Sequence, residues 1–163
     1  MPVTVTAETE GYEKLEAVLL AAGERGEDLS GAFARIMFDF QQEQEQVFAA
    51  SGAFGGRGGW EPLSEKYGAW KARIAPGAPI LTLTGMMRES LTDAEALGAV
   101  RTVTADELFI GTDIMVGPWN LAWLHADGTE TMPARPPIRV TEDQLERWME
   151  IILEHLTGAS TGV

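Results

Sequence analysis

His125 and Asp127, in "HADG" at 125–128, are the side chains whose type and spacing come closest to chemistry. A His-x-Asp pair can hold a metal ion or act as acid and base. In a strand the two would share a face. At a helix end they would not, and Gly128 argues for a turn. The other histidine, His155, lies near the end of the last expected helix, where the helix dipole favours a cation. There is no cysteine to complete a metal set or to serve as nucleophile. A hydrogen-bonded structural role is the better reading of His125. The carboxylates Glu43, Glu45, Glu61, Glu65, Asp93, Glu95, Glu107 and Asp113 are scattered, and no spacing singles out a hydrolytic pair. No spacing among these residues assembles a catalytic, cofactor-binding or metal-binding set.

The elements that would position these side chains read as follows. Leu15, Val18, Leu19 and Ala22 recur at helical spacing over 8–24. A second helix is expected over about 29–50, with Phe33, Ile36, Met37, Phe40, Val47 and Phe48 as its apolar stripe. "QQEQEQ" at 41–46 reads as its solvated or inter-subunit side. A long Gly-rich loop follows, with a short helix near 65–72. The Gly cluster lacks the Gly-Lys-Ser/Thr ending of a phosphate loop. Residues 87–91 read as a short strand or a helical turn, and 99–112 as a hairpin turning at Ala105-Asp106. A short helix is expected between Pro118 and the Asp127-Gly128 turn, with Trp119, Ala122 and Trp123 on one side. Thr141 and Gln144 form a capping-box signature ahead of Leu145, Trp148, Ile151, Ile152 and Leu156. The fold class is α+β: a small antiparallel sheet packed with N-terminal and C-terminal helices, and a long Gly-rich loop. Residues 1–157 read as a single domain and 158–163 as a disordered tail.

With 163 residues the chain suffices for one domain. Its 25 acidic and 12 basic residues give a net charge of −13, which disfavours reading DNA. No apolar run reaches the roughly 20 residues of a membrane span. The N-terminus lacks a signal-peptide pattern, so synthesis in a cytoplasm is expected. Among the five tryptophans, Trp123 and Trp148 read as core. Trp60 and Trp70 read as interface or loop anchors, since Trp and Arg anchor interfaces. Arg135, set between prolines, is expected to be held exposed and preorganised.

"WEPLS" at 60–64, Lys71, "ILTLTGMMRES" at 80–90, "LFIGT" at 108–112, "LAWLHADG" at 121–128 and "MPARPPI" at 132–138 stand in an order that carries a resemblance. The sequence resembles the phage virion morphogenesis family, the Mu-like tail completion proteins of tailed bacteriophages, over about residues 28–157. Met87 stands where the family usually has Leu, and Ala126 and Asp127 where it usually has Gln and an aromatic. The resemblance implies a structural neck protein of the virion, not an enzyme and with no cofactor, assembled in the host cytoplasm. It implies a homo-oligomeric ring, plausibly six-fold, around passing DNA that is not recognised by sequence. Head-completion and tail terminator or tail tube proteins are the implied neighbours, with no membrane partner. The interface candidates are Arg57, Trp60, Leu63, Trp70, Met132, Arg135 and Pro136. The alternatives are a tail terminator or head-closure ring and, from another class, a small hydrolase or metal enzyme using His125.

Overall fold

The computed structural model describes residue 26, residues 28–56 and residues 58–157. The helix expected over 8–24, Arg57 and the tail 158–163 lie outside the described residues. Among the described residues, five helices and four short strands follow in order: α1 (Ser30–Ala49), α2 (Glu65–Ile74), α3 (Met86–Thr92), β1 (Ala99–Val103), β2 (Leu108–Thr112), β3 (Met115–Val116), β4 (Trp119–Asn120), α4 (Leu121–Asp127) and α5 (Glu142–Thr157). The class is α+β. Where one small sheet was expected, the described residues form two two-stranded antiparallel sheets, β1–β2 and β3–β4. In the second, Met115 pairs with Asn120 and Val116 with Trp119. No helix among the described residues is long and apolar enough to cross a membrane.

The chain divides into two compact units. Of the described residues, one unit takes 28–39, Arg101–Ile110 and 140–157, and the other takes Phe40–Val100 and Gly111–Arg139. In the first, the start of α1 runs antiparallel to α5. Arg35 pairs with Glu154 at 2.8 Å, and Asp39 accepts from Arg147 at 3.2 Å and from the Trp148 indole at 2.7 Å. His155 meets the Asp28 carbonyl at 2.7 Å. Leu29, Ala32, Phe33 and Ile36 of this segment are buried, as are Leu145, Trp148 and Ile152 of α5. Each large apolar side chain buried there stabilises the fold by roughly 1.5–3 kcal/mol. The β1–β2 turn joins this unit through the Leu29 N–H, which donates to the Ala105 carbonyl at 2.8 Å.

The capping box at Thr141 is half made. Its hydroxyl accepts from the Gln144 N–H at 3.2 Å, but the Gln144 side chain is fully buried and both its amide atoms lack partners among the described residues. The reciprocal half needs the Gln side chain to reach back to the cap.

In the second unit, α1 continues with Phe40, Glu43, Gln44, Val47 and Phe48 buried on one face. This corrects the reading of 41–46 as a solvated or inter-subunit side at Glu43 and Gln44, while Gln42, Glu45 and Gln46 are exposed. The 3.6-residue period places Glu43 and Gln44 between Phe40 and Val47, so two polar residues fall inside the stripe. The helix ends in a Schellman arrangement: the Ser51 N–H donates to Phe48 O at 3.2 Å and the Gly52 N–H to Val47 O at 2.8 Å. Both residues are left-handed, with φ of 49° and 87°. Residues 87–91 prove helical, within α3, which buries Met87, Ser90 and Leu91. The Ser90 hydroxyl donates to Thr112 Oγ1 at 2.7 Å.

Candidate functional site

The segment 119–137 is built to return to residues 60–62, at the exit of the glycine loop. Asn120 caps α4: its side-chain oxygen accepts from the Ala122 and Trp123 N–H groups, while Nδ2 donates to the Thr112 carbonyl at 2.9 Å. Gly128 ends the helix at φ 70°, its N–H donating to Leu124 O at 3.0 Å. A Cβ at Gly128 would stand 2.6 Å from Met132 O and 2.7 Å from Ala134 N, so only glycine lets the chain fold back this tightly. Thr129 and Met132 then bridge, and the Arg135 N–H donates to the His125 carbonyl at 2.6 Å.

That return delivers Arg135 and Pro136 to residues 60–62. The Arg135 guanidinium donates through Nε to Glu61 O at 2.7 Å and through Nη2 to Pro62 O at 2.8 Å. In the opposite direction, the Trp60 indole N–H donates to Pro136 O at 3.0 Å. Trp60 is itself fixed. Its N–H donates to Ser51 O at 2.8 Å, and its ring meets Phe48 edge-on at 5.4 Å. A Cβ on Gly52 would stand 2.9 Å from the indole. Two segments more than 70 residues apart are thus joined by three side-chain hydrogen bonds to main-chain carbonyls.

Of the interface candidates, Trp60 bonds Pro136 directly, and Arg135 bonds the carbonyls of Glu61 and Pro62 next to Trp60. Leu63 is half-buried beside Pro62, and Met132 is half-buried in the turn. Trp70 is exposed and stacks with Tyr67 instead. The exposure expectation for Arg135 is corrected. Arg135 is only 4% exposed, because main-chain carbonyls take its guanidinium inward. Trp60 is buried and tied to Ser51, which is the loop-anchor alternative of its reading. The expectation for Trp123 is reversed: it is 74% exposed, because the small Ala122 is the residue that α4 turns inward.

His125 and Asp127 both lie on α4, where i and i+2 positions point to different sides. His125 is not the hydrogen-bonded histidine expected: its buried Nδ1 has no partner among the described residues. Burial, and then the Arg135 charge, hold its pKa below the usual imidazole value. Lys71 was not singled out for burial, yet it is buried, with its ammonium donating to the Pro79 carbonyl and its pKa lowered by burial. No group of three potential metal ligands converges among the described residues. Protein-family models, curated proteins and solved structures offer no match to this chain.

Proposed function

We propose that the chain is a structural virion protein of a tailed phage or prophage: a neck or tail-completion subunit that joins tail to head as a ring around the DNA path. The observation that carries this reading is the clamp between residues 60–62 and 135–136. "WEPLS" and "MPARPPI" are the segments on which the resemblance most depends, and they interlock through their own motif residues. Resemblance carried by residues that hold one another in place supports a shared scaffold. The clamp's donors serve main-chain carbonyls, so its chemistry is that of a brace. The net charge of −13 supports the DNA path, since an acidic lining lets DNA pass without adhering. Head-completion and tail terminator or tail tube proteins are the proposed neighbours, and the chain needs no cofactor and no turnover for this work.

Deleting the gene from its phage or prophage and viewing the induced lysate by electron microscopy tests the proposal. The expected result is filled heads and finished tails that remain separate. Tails of uncontrolled length would instead assign a tail terminator, and heads that lose their DNA a head-closure ring. Normal joined particles would refute all three roles.

A further inference from the structure

Helix α2 is built inside out. Lys71 is its one buried side chain, while Tyr67, Trp70 and Ile74 stand 42%, 41% and 55% exposed. At helical spacing these three fall within about 60° of one another. The exposed Lys66 and Arg73 flank the same stripe on the Trp70 side. The Tyr67 and Trp70 rings already lie 5.2 Å apart at 36°, so the aromatic surface is preorganised before any partner arrives. Three basic residues stand against one acidic along this helix, in a chain of net charge −13.

Helix α5 has the complementary face. Glu142, Glu146 and Glu150 are exposed and recur every four residues in one row, with the exposed Leu153 among them. Five acidic residues stand against one arginine along the helix. Lys66 and Arg73 are about 10 Å apart along the α2 axis, and Glu142 and Glu150 about 12 Å apart along α5.

We propose that the α2 face of one copy docks on the outer α5 face of a second copy. Strongly acidic copies repel one another over most of their surface. A self-contact therefore needs a basic apolar face set against an acidic one, and α2 and α5 supply the two. The contact is heterologous, so each copy uses both faces and the association repeats, as a closed ring requires. This rests on the ring in the proposed function but is measured on the chain alone.

Sedimentation velocity of the full chain at low salt, over a concentration series, is the test. Lys66→Glu with Arg73→Glu makes both faces acidic, and Glu146→Lys with Glu150→Lys opposes two basic faces. Each double variant alone is expected to stay monomeric. Mixed in equal amounts, they assemble as an alternating oligomer, which misfolded chains would not do. Trp70→Ala weakens association about 30-fold, the scale of a central tryptophan anchor. A wild-type chain that stays monomeric at every concentration overturns the proposal. So does undiminished assembly of the α2 double variant, or variants that fail to assemble when mixed. Assembly abolished by Trp123→Ala but untouched by the charge reversals would move the contact to the Trp119–Trp123 surface. Such failures leave the proposed function standing if deletion still separates heads from tails. Normal virions without the gene would remove that function and leave this contact intact.

Discussion

Arg135 reaches its partners through a planar fork, and both main-chain carbonyls it serves are part of the glycine loop's exit. Removing it strands those carbonyls and loses two charge-assisted bonds. Arg135→Ala is therefore expected to destabilise the chain by about 3 kcal/mol, read from denaturant unfolding. Arg135→Lys keeps the charge but loses the fork, so its loss should be intermediate. An unchanged midpoint in Arg135→Ala would show that the clamp contributes nothing. His125 gives a pH signature. Its folded pKa is lowered from the ordinary 6.5, so as pH falls the unfolded chain takes up this proton first. The stability it contributes is full above about pH 6.5 and is lost as pH falls from there to the folded pKa. Comparing unfolding midpoints at about pH 7.5 and 5.5, the native chain should lose more than His125→Gln. Equal losses in the two chains would contradict that origin. The direct Trp60–Arg135–Pro136 clamp was not legible from spacing, because nothing local says that residue 135 returns to residue 61.

The helices were the legible elements. The expected 29–50 and 65–72 segments appear as Ser30–Ala49 and Glu65–Ile74 because apolar period and caps agree there. The hairpin at 99–112 is likewise present, closed by the Thr104 N–H donating to Glu107 O at 2.9 Å. What misled was polarity taken residue by residue. Glu43, Gln44 and Lys71 are buried, while Trp119 and Trp123 face outward. For Glu43 and Gln44 helix geometry decides, since a polar residue between two core positions goes in with them. The stripe of Tyr67, Trp70 and Ile74 could have been found from its i, i+3, i+7 spacing alone. At this scale Gly128 is the critical joint. Gly128→Ala would force a methyl against Met132 O at φ 70°, and a loss of at least about 2 kcal/mol is expected on thermal or chemical unfolding. Asn120→Ala removes the α4 cap and the tie to Thr112, with an expected cost of about 1–2 kcal/mol. Wild-type stability in either variant would mean that the return of the chain is fixed elsewhere.

For the whole molecule, charge sets behaviour more than any single contact. A net charge of −13 predicts that the isolated chain does not retard duplex DNA in a gel even at low salt, where phosphate contacts are strongest. Retention that weakens steeply with added salt would reveal a basic path incompatible with a passive acidic lining. The central claim, a ring at the joint of head and tail, is tested most directly by locating the chain in purified virions with a gold-labelled tag. Label confined to the junction between head and tail is the predicted result. Label spread along the tail, or virions that carry none, would contradict it.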